Sequence, residues 1–586
     1  MLQGGLLTSR LQATLVAVTP SPISVPSGLL AEAIARTLSQ WTDERRVARL
    51  WSRDASLWTS SGEEKWLGWL DIIDVQRQEL PARIALAEAI GQEGFTDVLL
   101  LGMGGSILGP EVVARVIGET DGAPRLHVLD STDPAQVKRF DDAVDLTKTL
   151  VIVASKSGST LEPNVFLAYF HDRLKQVVGE AAAGRHIVAI TDPGSQMQRV
   201  AERDGFRAVA FGEPTVGGRF SVLSAFGTVP AALTGVDVAR LLDQAAQMAE
   251  ACRVEDAAAN PGVALGVVIG EAAKAGRDKL TIVASPGIAP LGAWLEQLVA
   301  ESTGKNGTAV IPVDLEPVGA PASYGPDRLF VYLRLSAAPD AEQDTFVEAL
   351  NLVGQPVVQI DVRDTYALGQ EFFRWEIATA VAGAVLGINP FDQPDVEASK
   401  IKTRALTDAF EQDGALPAET PAVLDTELAI FADEANVRAL GAVATPAEAI
   451  AAHLRRIDAG DYAALLAYID MTTDNVAALQ EIRAIIRAQS GAATCLGFGP
   501  RFLHSTGQAY KGGPASGVFL QITCDDAADL QVPGRAFTFG VVKAAQARGD
   551  LGVLEERGRR ALRVHLGPDV AAGLEALRTA VEDTYR

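Results

Sequence analysis

The chain has 586 residues, with 51 Lys and Arg against 74 Asp and Glu, a formal net charge of −23 and 48% hydrophobic residues. That length exceeds a single core and points to about three domains at roughly 100–200 residues each, and the apolar fraction excludes global disorder. The acidic balance argues against a nucleic-acid or anionic-membrane partner, because phosphate contacts need clustered Lys and Arg; a small anionic substrate in a locally cationic pocket stays open.

Residues 1–95 read as helical and irregular. The stretch 25–31 and the Trp-rich segment from Trp51 to Trp69 suggest packing helices rather than a separate domain. No basic residue precedes Arg10, which does not fit a signal peptide, and no apolar run reaches membrane-spanning length. Cys252, Cys495 and Cys524 lie far apart without a CxxC pair, so neither a disulfide framework nor a thiolate metal site is expected. A cytoplasmic protein is the expectation.

From 97 the rhythm changes. Apolar runs at 97–102, 126–130, 149–154, 186–191 and 206–211 predict strands, and 109–118, 134–140, 162–178 and 194–204 predict helices between them. Runs apolar throughout imply strands buried on both faces, the mark of a parallel sheet, and their alternation with helices predicts a doubly wound α/β domain. A second pass follows, with strands at 279–285, 308–314, 328–335 and 356–362 and helices at 289–302, 340–352 and 368–387. The predicted divisions are 1–95, 96–250, 251–406 and 407–586. The last begins with a Pro-rich linker at 413–424. Thr445-Pro446-Ala447-Glu448 then opens a helix as a capping box. Two further helices are expected up to about Gln489, then strands at 495–499 and 517–523.

Ligands of open parallel sheets bind at the carboxyl ends of strands, which directs attention to the turns. The first strand ends in Gly102-Met103-Gly104-Gly105-Ser106-Ile107-Leu108-Gly109-Pro110. A dinucleotide fingerprint needs Gly at 107, so a nicotinamide dehydrogenase with Asp130 on a ribose is the weaker reading. What remains is a turn where backbone can approach a ligand, with Ser106 as a hydroxyl donor. The third strand ends in Ser155-Lys156-Ser157-Gly158-Ser159-Thr160, just before a helix. Four hydroxyls at a helix N-terminus make an anion site, whereas capping would need only one. Gly217-Gly218-Arg219 offers a flexible backbone and a cationic fork. Gln297 and Glu301 share one helical face near a C-terminus, where the dipole raises a carboxylate's proton affinity and suits it to general-base work. Asp392 and Asp395 could cap a helix holding Lys400. His504 lies in the polar segment Leu503-His504-Ser505-Thr506-Gly507-Gln508, a candidate acid–base.

Together these segments resemble the glucose-6-phosphate isomerase family. GMGGSILGP is similar to its sugar-binding turn, ASKSGSTLE to its phosphate loop, VGGRFS and NPFDQPDVEASK to its signature motifs, and AESTGK to the stretch with its catalytic Glu. The order of the pieces also resembles the isomerase half of bacterial transaldolase–isomerase fusions; a transaldolase barrel does not fit in the 95 residues before the first unit. The resemblance implies two sugar-isomerase (SIS) domains of flavodoxin-like, doubly wound α/β fold, followed here by a C-terminal α/β extension. It implies interconversion of glucose 6-phosphate and fructose 6-phosphate with no metal and no cofactor. Ser155, Ser157 and Thr160 would hold the 6-phosphate beside Ser106 and Lys156, and Gly104, Gly105 and Gly218 would line the sugar with Gln297 and Gln393. Arg219 would stabilise the enediolate, Glu301 would move the proton between C2 and C1, and Lys400 would stand near the ring oxygen. Two departures stand out. Asp395 replaces a Gly usual in the last signature. No His lies between Glu301 and Lys400, where the family has its ring-opening residue; the look-alike is His504, past Lys400, so the C-terminal part is expected to fold back and deliver it. In the family this His comes from the neighbouring subunit, which implies a homodimer with shared sites. The rival readings are a phosphomannose or other sugar-phosphate isomerase and a non-catalytic phosphosugar-binding SIS protein.

Overall fold

The structure is a computed structural model that describes residues 29–585; the reading of the first residues as lacking a targeting signal, and of 25–28 as helix, lies outside them. Five strands, β1 (Asp97–Leu101), β2 (Arg125–Leu129), β3 (Thr149–Ala154), β4 (Ile187–Thr191) and β5 (Ala208–Phe211), form a parallel sheet in the order β2-β1-β3-β4-β5. Leu99 is in register with both His127 and Val151. β1 and β3 are buried along their whole length, because helices cover both faces. A second parallel sheet, β6 (Lys279–Ala284), β7 (Ile311–Val313), β8 (Arg328–Leu335) and β9 (Val357–Val362), has the order β7-β6-β8-β9. These are the two doubly wound units read from the apolar runs. Asn260 accepts a hydrogen bond from the Val263 N–H and caps helix Pro261–Lys274. That helix packs on helix Leu368–Leu386 so closely that a Cβ on Gly266 would lie 2.4 Å from the Ala378 carbonyl.

The N-terminal tryptophans belong to the same core as one face of both sheets. Trp69 stacks on Phe220 at 5.3 Å, and Trp58 meets Phe391 edge-on at 5.2 Å. The segment before β1 therefore buttresses the two loops that carry Arg219 and Gln393.

The C-terminal part has its own six-stranded sheet: β10 (Val423–Leu424), β11 (Leu428–Phe431), β12 (Tyr462–Tyr468), β13 (Ala493–Phe498), β14 (Gly517–Cys524) and β15 (Arg560–Leu566), in the order β10-β11-β15-β14-β12-β13. Strands β12 to β15 are parallel to their neighbours in this group, and β10 and β11 are antiparallel additions. Half of the capping box forms: Thr445 Oγ1 accepts from the Glu448 N–H at the start of helix Pro446–Leu454, while the Glu448 carboxylate takes the Ala444 N–H one residue before the cap. One of the two helices expected next is instead β12, and the other is Thr473–Ser490. Tyr462–Tyr468 is rich in Ala and Leu, good helix formers, yet it lies buried between β13 and β14, where pairing on both edges overrides local propensity. Among the described residues no helix is long and apolar enough to cross a membrane.

Glu376 sits wholly buried in helix Leu368–Leu386, and neither carboxylate oxygen has a hydrogen-bond partner. Burial pushes its pKa well above the usual 4.5. The folded chain thus keeps a proton that the unfolded chain loses above that value, and this group makes stability fall as pH rises, by about 1.4 kcal/mol per pH unit. Glu376→Gln is expected to remove that slope. The difference in thermal midpoint between variant and parent should widen in the variant's favour from pH 5 to pH 7; a constant difference contradicts the assignment.

Candidate active site

A cavity of about 360 Å³ opens at the carboxyl edge of the first sheet. Its lining brings together the residues to which the resemblance assigns a role: Gly104, Gly105, Ser106, Ser155, Lys156, Ser157, Thr160, Gly218, Arg219, Gln297, Glu301, Gln393, Lys400 and His504; Asp130, Asp392 and Asp395 do not line it.

The hydroxyl loop runs from the end of β3 into helix Leu161–Val178. Ser155 Oγ accepts from the Gly158 N–H at 3.1 Å, and Ser157 Oγ accepts from the Ser159 N–H at 3.2 Å. An oxygen that already accepts within the loop can turn its proton toward an anion. Thr160 is the N-cap residue, yet its side chain makes no capping bond, so its hydroxyl stays free for a ligand. Gly158 adopts φ +70°, and a Cβ there would lie 2.3 Å from Met197 N. The Lys156 ammonium is bound to Asp192 and to the carbonyls of Glu213 and Pro214, which ties the loop to the neighbouring strand ends.

Opposite stands the Gly104–Ser106 turn. A Cβ on Gly105 would lie 1.9 Å from the Gly218 carbonyl, so the first turn fits against the second only without a side chain at Gly105. This contact sets Arg219 in place. The buried guanidinium donates from Nε to Ser302 Oγ (2.7 Å), from Nη1 to Gln393 Oε1 (3.0 Å) and from Nη2 to the carbonyls of Pro390 (2.6 Å) and Asp392 (3.0 Å). Nη1 also stands 3.3 Å from Glu301 Oε1. Burial lowers the pKa of Arg219 while the Glu301 carboxylate opposes that. Lys305 grips the same loop from beneath, donating to the Asn389 carbonyl (2.6 Å) and to Asp392 Oδ1 (2.7 Å). The helix dipole expected to act on Glu301 is thus opposed by an adjacent fixed cation, which periodicity could not reveal. Gln297 Nε2 donates to Glu301 Oε2 (3.1 Å) and to the His504 carbonyl (2.7 Å), linking the acid to the C-terminal part.

That part docks through buried polar contacts. Arg501, after β13, pairs with Asp130 (2.7 Å) and with Glu111. Asp130, the would-be ribose ligand, is therefore a docking residue. Asp395 does not cap its helix either: Gln393 is the N-cap residue of Pro394–Asp413, and the Asp395 carboxylate takes Gln508 Nε2 (2.8 Å) and Arg557. Asp392 holds Lys305. The acid in place of the family's usual Gly thus points to the C-terminal unit. His504 enters the cavity of its own chain, so the subunit sharing implied by the resemblance is not needed for this residue. Its Nε2 lies 3.0 Å from Glu162 Oε1. Burial works to raise the Glu162 pKa, but the His504 imidazole and its hydrogen bond outweigh it and hold the carboxyl below its usual range. Sequence reasoning missed Glu162, which was taken only as the start of a helix; its position directly after the hydroxyl loop was the available signal.

The family model for phosphoglucose isomerase matches residues 69–316. The glucose-6-phosphate isomerase of Rubrobacter xylanophilus is 32% identical over 375 residues, 56% of this chain and 86% of the relative. The chain belongs to the glucose-6-phosphate isomerase family. A solved structure of a hypothetical protein from Thermus thermophilus is similar at 28% identity with a TM-score of 0.57, covering 65% of this chain and 99% of that one. A glucose-6-phosphate isomerase structure from Chlamydia trachomatis shares the fold at 20% identity and a TM-score of 0.54, over 65% of this chain and 86% of that one. About a third of this chain lies outside either superposition, and the family model ends before both Lys400 and His504.

Proposed function

We propose that this member of the glucose-6-phosphate isomerase family is an aldose–ketose isomerase interconverting glucose 6-phosphate and fructose 6-phosphate in the 360 Å³ cavity. The observation that carries the reading is the meeting of Glu301, Arg219 and the hydroxyl-lined helix N-terminus in that one cavity. Ser155, Ser157 and Thr160 hold the phosphate, with Ser106 and Lys156 beside them, and its binding energy serves to orient the sugar. Gly104, Gly105, Gly218, Gln297 and Gln393 line the sugar chain. His504, held by Glu162 and aided by Lys400, moves the proton that opens the pyranose. Glu301 takes the proton from C2 and returns it to C1. Arg219 stabilises the oxygen that becomes negative in the enediolate.

The deciding assay converts fructose 6-phosphate and couples the product to a glucose-6-phosphate dehydrogenase. Turnover is the expected result. Product appearing only as mannose 6-phosphate would replace the substrate assignment, and no turnover would overturn it. Gly158→Ala is expected to raise KM about tenfold or more with less effect on kcat, since a side chain at φ +70° loses about 1–2 kcal/mol before any clash with Met197; an unchanged KM would place the phosphate elsewhere. A homodimer would pair two cavities each furnished by one chain, which light scattering and activity at nanomolar enzyme can read. The three free thiols fit a reducing, cytoplasmic setting.

A further inference from the structure

We propose that Gln546, contributed by the C-terminal unit, is a positioning residue that fixes the Glu162 carboxylate against the His504 imidazole. This rests on reading Glu162 and His504 as the ring-opening pair. Gln546 lies on helix Phe539–Glu556 and does not line the 360 Å³ cavity; it lines an adjoining one of about 510 Å³. It therefore acts through Glu162.

The geometry is a closed chain of buried groups. Gln546 Nε2 donates to Glu162 Oε1 at 2.7 Å, the same oxygen that His504 Nε2 approaches at 3.0 Å. At its other end Gln546 Oε1 accepts from Thr132 Oγ1 at 2.6 Å. Thr132 follows β2 and is wholly buried, and Gln546 is 2% exposed. The acceptor-only Glu162 carboxylate sets the amide, since turned over its oxygen would face the carboxylate oxygen, acceptor against acceptor; the Thr132 hydroxyl then anchors the far end. So oriented, the amide stabilises the ionised carboxylate without itself titrating. With the amide taking one side of Oε1, the imidazole is left the other direction of approach to that oxygen, as outer partners do for other histidines that work in fixed orientation. The other charged or titratable groups bearing on the pair are Lys400 from helix Pro394–Asp413, Asp130 after β2 and Tyr468 at the end of β12. None of them is hydrogen-bonded to Glu162. Both partners of the Glu162 carboxylate come from the C-terminal unit, so docking of that unit delivers the imidazole and the group that aims it in one step.

The test uses the full chain with Gln546→Leu and the nearly isosteric Gln546→Glu, beside His504→Ala. Substrates are fructose 6-phosphate and a tetrose 4-phosphate, whose ring-forming hydroxyl is esterified so that it stays open. Gln546→Leu is expected to lower kcat on the hexose about tenfold, to leave KM within about threefold, and to spare the tetrose. With one donor gone, the carboxylate binds its proton more tightly, so the acid limb of kcat on the hexose moves up by about one pH unit. Gln546→Glu sets a second acid against Glu162 and moves that limb further the same way. If Gln546→Leu does not fold, Gln546→Glu and Thr132→Val, which removes the anchor of the amide oxygen, carry the test. An unmoved limb, or equal losses on both substrates, overturns the proposal. If His504→Ala still loses hexose turnover in that case, the ring-opening reading survives without it. Parent-like hexose turnover by His504→Ala ends both.

Discussion

Glu301→Gln lowers kcat for isomerisation by about 10³-fold or more, while the affinity for sugar phosphate stays within about threefold. The expectation follows from where the carboxylate sits. It is the acid beside Arg219 in the cavity, and a positioned proton-transfer group supplies about 10²–10⁴-fold; loss of the base proposed for the C2 proton falls at the upper end. The amide keeps the volume and can still receive Gln297 Nε2. Arg219 does not follow the lost charge, because Ser302, Gln393 and the carbonyls of Pro390 and Asp392 hold it independently. The phosphate loop lies on a different element. Steady-state kinetics and exchange of the C2 hydrogen with solvent check this together. Retention of more than a tenth of the parent rate, with exchange intact, removes Glu301 from the role.

His504→Ala separates two chemical steps. Turnover of cyclic hexose phosphate falls about 10²-fold, the lower range of what a positioned acid–base contributes, and spontaneous ring opening sets the floor. The tetrose 4-phosphate skips ring opening and is turned over within about threefold of the parent rate. The backbone should hold in the variant, since the residue's carbonyl still accepts from Gln297. Equal losses on the two substrates would assign His504 to the enediolate step or to architecture.

Much of the site was legible because it is built from local units. A turn after a strand, a helix N-terminus rich in hydroxyls and two residues four apart on a helix are each written within a few positions, and strand ends of parallel sheets converge by topology. What stayed hidden was pairing over distance. Asp130 was read as a possible ribose ligand and proves to hold Arg501; Asp395 was read as a cap and proves to hold Gln508 and Arg557. One of the two helices expected up to about Gln489 is missing for the same reason: the strand character of Tyr462–Tyr468 comes from neighbours on both edges.

The order and chemistry of the motifs, the two parallel sheets and most of the groups that line the cavity were determined by residues close together along the chain, where hydrophobic periodicity and turn chemistry act. Which carboxylate faces His504, which cation faces Glu301 and how the last third of the chain closes over the cavity were decided by the tertiary structure alone. Those choices depend on burial and charge pairing between segments hundreds of residues apart, such as Gln546 with Glu162, and no local pattern encodes them.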